Sequence, residues 1–210
     1  GPQALASRCV VSITSDAGPD TGITPMVLSL ACTSGFLWKD SVALLSFSMM
    51  AAGVPARIIV KTNALTDEHL VRAFPRAAQQ GARLDLILHG PCILPAQLPG
   101  MSDNIRVRSV VGRFLEHHRI WWFGNDGTPD LYCSSADWLE RNLLRRVETA
   151  FPILDRQCAQ RVHQEGLLNY LRDNQNAWDV QPDGSYAKCV PAEGDPPFSA
   201  QLSLLEDLYA

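Results

Sequence analysis

The sequence predicts an α/β protein with a largely parallel or mixed sheet. Six short apolar runs, β-branched or aromatic, recur at 25–31, 57–61, 83–88, 105–110, 119–123 and 130–134. Segments with helical spacing lie between or after them, at 39–52, 66–80, 136–149, 155–173 and 199–208. Strands that alternate with helices bury a sheet under helical layers. At 210 residues and 46% hydrophobic content, the chain is long enough for one substantial core.

The elements follow in order. Residues 1–24 are rich in Ser, Gly, Asp and Pro and read as an irregular lead-in, with Gly1-Pro2 the scar of a removed tag. The folded domain is therefore expected at 25–210. The 25–31 run is too short for a bilayer, which needs ~20 apolar residues, and Lys39 and Asp40 follow soon after. Thr66-Asp67-Glu68 precedes Leu70, Val71 and Phe74, which predicts a capped amphipathic helix that Pro75 should bend or shorten. The runs RLDLIL (83–88) and IRVRSV (105–110) are strands. RIWWF (119–123) and 130–134 flank the polar turn Gly124-Asn125-Asp126-Gly127 and form a hairpin. Ser134 and Asp137 approximate a capping box for a helix over 136–149, with Leu139, Leu143 and Val147 on one face and Arg141, Arg145 and Glu148 on another. That helix N-terminus would add partial positive charge. Asp183-Gly184 and Pro196-Pro197 make 179–198 a long turn or small hairpin before the last helix. There is no internal repeat.

The chemistry concentrates in IRVRSVVGRFLEHHR (105–119), where four arginines and two histidines face one carboxylate, Glu116. Fixed positive charge around an imidazole suits the binding or transfer of a phosphoryl group. Net charge is −4, so the basic stretches Arg106–Arg119 and Arg141–Arg146 would be a local patch, which weighs against a general nucleic-acid role. Alternation along a strand would put His117 and Arg119 on one side, and the hairpin would bring them to Ser135 and the next helix start. The residues alone are equally consistent with a solvated basic face. Six cysteines without a CxxC pair, and no signal peptide, point to reduced thiols and a cytoplasmic protein.

Longer motifs narrow the reading. GVPARIIVKTNALTD (53–67), QQGARLDLILHG (79–90), PGMSDNIRVRSVVGRFLEHHRI (99–120), SSADWLERNLLRRVE (134–148) and FPILD (151–155) occur in this order. In them the chain resembles the C-terminal catalytic domain of the bacterial polyphosphate kinase family, from Ala56 to about Asp155 and more weakly to the C-terminus. The resemblance implies a phospholipase-D-like α/β fold, a mixed sheet flanked by helices, over 25–210. It implies one half of an active site that binds ATP and polyphosphate during reversible transfer of the γ-phosphate, with Mg²⁺ accompanying ATP. His117 is then the catalytic histidine, facing a phosphorylated histidine in an upstream domain that this sequence does not contain. Lys61, Asn63, His89, Arg113, Arg119, Arg141 and Asn142 are the implied phosphate- or nucleotide-binding residues, and no residue is a metal ligand. A homo-oligomer is implied for the full-length form, and near-inactivity for this chain alone.

Two departures from the family stand out. His89 occupies the place of a family arginine, and a neutral imidazole cannot reproduce a bidentate, always-charged guanidinium. Weaker binding near neutral pH, partly recovered on protonation of His89, is expected. Gly124 stands seven residues after His117, where the superfamily carries an aspartate, so His117 is expected to bind phosphate or move a proton rather than act as nucleophile. Two other functions stay in play: a non-catalytic polyphosphate- or nucleotide-binding module, and a dimeric phospholipase-D-like phosphodiesterase, against which Gly124 argues.

Overall fold

The computed structural model describes residues 57–124, 129–146 and 148–209. The strand expected at 25–31, the helix at 39–52 and the lead-in lie outside them. Eight strands form one sheet in the order β6-β5-β4-β1-β2-β3-β7-β8. Its centre is parallel: β1 (Arg57–Thr62), β2 (Arg83–Leu88) and β3 (Ile105–Val110) run side by side. Antiparallel strands extend both sides. β4 (Ile120–Gly124), β5 (Asp130–Ser134) and β6 (Ala150–Pro152) follow β1, while β7 (Ala177–Val180) and β8 (Tyr186–Lys188) follow β3. The expected mixed α/β sheet is what forms, and the 179–198 stretch supplies the turn and second strand of the β7–β8 hairpin.

The central strands β1 and β2 are largely apolar because both faces are covered. Ile58 and Val60 point into one core with Leu70, Phe74 and Trp138. Ile59 points into another with Leu167, Tyr170 and Ala200. The first face is covered by α1 (Glu68–Gln79), whose N-cap Asp67 accepts hydrogen bonds from the backbone N–H groups of His69 and Leu70 at 3.1 and 3.0 Å. Leu70 and Phe74 are fully buried beneath it, each worth roughly 1.5–3 kcal/mol of apolar transfer. Pro75 does not shorten α1, which runs on to Gln79. The opposite face carries α3 (Arg156–His163), a π-helical turn (Gln164–Leu168) and α4 (Asn169–Arg172), together the expected 155–173 helix, and then α5 (Ala200–Tyr209).

The helix expected over 136–149 is replaced. Only α2 (Glu140–Arg145) is helical, its N-cap is Leu139 without a side-chain cap, and β6 begins at Ala150. The Ser134–Asp137 capping box does not form because both side chains bond elsewhere. Ser134 Oγ accepts from Ala136 N at 3.0 Å and donates to the Thr149 carbonyl at 3.1 Å. Asp137 turns to tertiary partners, and β5–β6 pairing claims the backbone at 150–152.

Candidate functional site

The loops that leave β1, β2 and β5 are laced together by backbone. Leu65 forms parallel bridges with both Cys92 and Trp138. Its N–H donates to the Pro91 carbonyl at 3.0 Å, and Trp138 N–H donates to Ala64 O at 3.1 Å. Gly90 N–H donates to Asn63 O at 2.7 Å, and a Cβ on Gly90 would sit 3.0 Å from that oxygen. Glycine fits this close approach, which a larger residue would crowd. The lacing draws KTNAL (61–65), His89-Gly90 and Asp137-Trp138 to one end of the sheet.

A narrow cleft with a cavity volume of about 10 Å³ opens there, lined by Lys61, Asn63, His89, Glu116 and Tyr170 among others. That is room for about one water molecule, far below the ~300–1,000 Å³ of most small-molecule pockets. Lys61 is 4% exposed. Its ammonium is paired with the Glu116 carboxylate, lies 3.1 Å from the Tyr170 ring centre and 3.2 Å from His118 Nδ1. Burial pulls its titration from 10.5 to about 8 in spite of Glu116. For Glu116, burial pushes upward, but hydrogen bonds from His118, Lys61 and Gln201 together with the Lys61 charge hold it at about 2. At neutral pH the site therefore holds a buried ion pair. His89 is half-buried, with Nδ1 3.4 Å from the Val110 carbonyl.

Beside the cleft stands a second assembly. Arg119 grips Asp137 with Nε and Nη2, both at 2.9 Å, and lays Nη1 and Nη2 at 2.9 and 3.3 Å from Nδ1 and Nε2 of His117. Asp137 Oδ1 also accepts from Asn63 N–H at 3.1 Å and Thr62 Oγ at 3.3 Å, which joins the assembly to the cleft. Burial raises the Asp137 carboxyl, and the Arg119 and Asn63 hydrogen bonds outweigh it and lower it overall. His117 itself is exposed. A bidentate arginine fixes orientation as well as charge, so the imidazole is presented to solvent on a braced support.

His117 and Arg119 do meet, although both precede β4, so strand alternation is not the cause. Lys61, Asn63 and His89 share the cleft. Arg113 and Arg141 are exposed and line no part of it. Asn142 is buried, with Nδ2 donating to Glu148 at 3.0 Å and Oδ1 without a hydrogen-bond partner. Ser135 turns its hydroxyl to the same Glu148. Two expectations need correction. Arg106 and Arg108 do not belong to a basic patch, since both bond Asp179 on β7. Nor can residue 124 orient His117. Ile120 pairs with Lys61 but Gly124 pairs with Arg57 at the other end of β1, about 13 Å further along a strand rising ~3.3 Å per residue. The carboxylate that braces this histidine is Asp137, acting through Arg119. Asp137 was legible as a cap and as part of the SSADW motif, His118 only as the second histidine of 105–119, and Tyr170 and Gln201 carried no local signal.

Comparison with known proteins agrees with the motif reading. The family model described as polyphosphate kinase C-terminal domain 2 matches residues 45–201. The polyphosphate kinase of Xylella fastidiosa (strain Temecula1) is 55% identical over 156 residues, 74% of this chain and 22% of that protein. That of Pseudomonas aeruginosa PAO1 is 51% identical over 160 residues, 76% of this chain and 23% of that protein. The chain thus spans about a fifth of the length of the curated relatives it matches. The crystal structure of polyphosphate kinase from Porphyromonas gingivalis superposes with a TM-score of 0.77 at 32% identity, covering 81% of this chain and 26% of that one.

Proposed function

The chain belongs to the polyphosphate kinase C-terminal domain 2 family, and from that premise we propose that it supplies the phosphate-binding half of a phosphotransferase site. In this reading ATP gives its γ-phosphoryl group to the end of a polyphosphate chain, leaving ADP and a chain longer by one phosphate, and the reaction runs in both directions. The nucleophile that first accepts the phosphoryl group is assigned to the part of the relatives beyond this chain. His117 handles a proton or a phosphate oxygen, and Arg119 holds it in place. The observation that carries the proposal is the braced His117–Arg119–Asp137 assembly, which presents an exposed imidazole and is bonded through Asn63 to the cleft that holds Lys61 and His89. Such groups act by positioning and by stabilising charge on the transferring group.

Among the described residues no group of three or more His, Cys, Asp or Glu side chains is placed to hold a metal ion. In this reading Mg²⁺ accompanies the nucleotide phosphates, as the family resemblance implies. No described helix is long and apolar enough to cross a membrane, and a cytoplasmic setting, where ATP and reduced thiols coexist, fits the reading.

A second reading keeps the binding and drops the turnover. It is favoured by His89 in place of a family arginine, and by the carboxylates already matched to Lys61 and Arg119. One pair of measurements separates the two. Retention of inorganic polyphosphate by this chain, falling steeply with salt, is common to both. Restored ATP-dependent polyphosphate synthesis, when this chain is joined to the upstream region of a relative, belongs to the first alone. Absence of polyphosphate retention at low salt would defeat both.

A further inference from the structure

We infer that Gln201, on the C-terminal helix α5, is a positioning residue for this site, acting through Glu116 on Lys61. The inference rests on the phosphate-binding reading above but is read out separately from it. Gln201 is 5% exposed, and its carboxamide makes three hydrogen bonds to one loop. Oε1 accepts from Phe114 N–H at 2.9 Å, Nε2 donates to Phe114 O at 2.9 Å, and Nε2 also donates to Glu116 Oε1 at 2.6 Å. The side chain thus imitates a strand backbone against the Phe114–Glu116 segment and fixes which way the Glu116 carboxylate points.

The other Glu116 oxygen receives Lys61 and lies 3.3 Å from His118 Nδ1. With Oε1 held by a neutral amide, Oε2 is left to the ammonium, and Lys61 stays at the cleft wall above the Tyr170 ring. Four titratable groups therefore face one carboxylate or its partner: Lys61 from β1, His118 from the same loop, Tyr170 from α4, and His89 across the cleft. The amide of Gln201, like the Tyr170 hydroxyl whose titration burial and Glu116 push up, donates to this carboxylate without changing its own charge near neutral pH.

The placement of Gln201 is itself determined. Asp173 Oδ2 accepts from Ala200 N–H at 2.8 Å and so caps α5 from outside, while Asn174 Oδ1 accepts from Phe198 N–H at 2.7 Å. Arg108 donates to the Asp173 carbonyl at 3.1 Å, tying this corner to β3. At the receiving end a Cβ on Gly112 would collide with the Gln201 amide, so the glycine of GRFLEH makes room for a residue 89 positions later. A helix that only closed the core would need an apolar side chain here, not a threefold-bonded amide.

The test uses two near-isosteric variants of this chain. Gln201→Met keeps the volume and removes all three hydrogen bonds. Gln201→Glu keeps the shape and can donate only when protonated. The chain has three lysines, Lys39, Lys61 and Lys188, so ¹³C-labelled lysine NMR follows Lys61 directly. In Gln201→Met the Lys61 titration should fall further below about 8, because burial lowers it and the Glu116 pairing that raises it is loosened. Linear inorganic polyphosphate should bind about tenfold more weakly, the loss expected for a hydrogen bond to a charged group. In Gln201→Glu binding should be lost at neutral pH and return on acidification, a recovery that Gln201→Met cannot show. An unmoved Lys61 titration, or the same pH profile in both variants, overturns the positioning role. Failure of the unaltered chain to bind polyphosphate would instead overturn the phosphate-binding reading, leaving the Lys61 shift to decide the role of Gln201.

Discussion

Two clusters of cations, one on β3 and one at the ends of β1 and β4, come from adjacent stretches of one motif and behave in opposite ways. Arg108 is 4% exposed and saturated. It bonds Asp179 through Nε at 2.8 Å and Nη2 at 3.2 Å, and donates Nη1 to carbonyls of Tyr170, Leu171 and Asp173 at the C-terminal end of α4. Arg106 adds 2.7 Å to the same Asp179. On Arg108 nothing is left over for a ligand. At the other cluster Asp137 matches only one face of Arg119, and the guanidinium turns its remaining nitrogens toward an exposed His117. The first cluster closes a corner of the fold, whereas the second backs an exposed imidazole with an arginine that is itself largely buried. Arginine content alone does not distinguish them; the cross-strand placement of a carboxylate does, since Asp179 lies directly opposite Arg108 in register.

The contrast can be broken or sharpened by substitution. The largest effect is expected for His117→Ala. In a full-length relative carrying this domain, phosphotransfer should fall about 10²–10⁴-fold, the usual worth of a proton-handling group. Stability should change by less than about 0.5 kcal/mol, as for other exposed side chains. Comparable losses in both would place His117 in the scaffold. Arg108→Ala should do the reverse, with about 3 kcal/mol lost in urea denaturation because Asp179 and three carbonyls lose a buried donor. A variant as stable as the parent would end the assignment of Arg108 to structure.

The next effect is set by pH. Glu116 is held at about 2 against an ordinary 4.5, so the folded state binds fewer protons there than the unfolded one. Its contribution is complete above pH 4.5 and is lost as pH falls toward 2. Asp137 and Asp179 are lowered in the same sense. Glu116→Gln should flatten the acid limb of the stability curve, measured as urea midpoints between pH 5 and 2. An unchanged limb would show that Glu116 is not ion-paired in solution. The smallest effect is expected for His89→Arg: about a tenfold gain in polyphosphate affinity at neutral pH, from an added charge-assisted contact. No gain would remove His89 from the site.

The sheet was legible because its strands are short and β-branched, and because β1 and β2 are largely apolar while β3 alternates Ile105, Val107 and Ser109 with Arg106 and Arg108. The 136–149 helix was misread for a physical reason. Ser134 and Asp137 have capping chemistry, but Asp137 gains more from a bidentate Arg119 than from a short helix end, and local spacing does not report such a competition. The site was half legible. His117 and Arg119 are neighbours in sequence, and Lys61, Asn63 and His89 fall at strand ends. The Lys61–Glu116 pair spans 55 residues and the Gln201–Glu116 bond 85, so neither leaves a periodic trace.

The lacing of Leu65 to Cys92 and Trp138 bears on how such a site changes through descent. The loops that carry Asn63, His89 and Asp137 are joined largely by main-chain atoms, which every residue other than proline possesses in full. Side chains on that frame can be exchanged while the frame stays put. An arginine can give way to a histidine at position 89 with the neighbouring groups held where they were. Affinity can therefore drift in single steps without a folding penalty, and reversal needs only the one substitution.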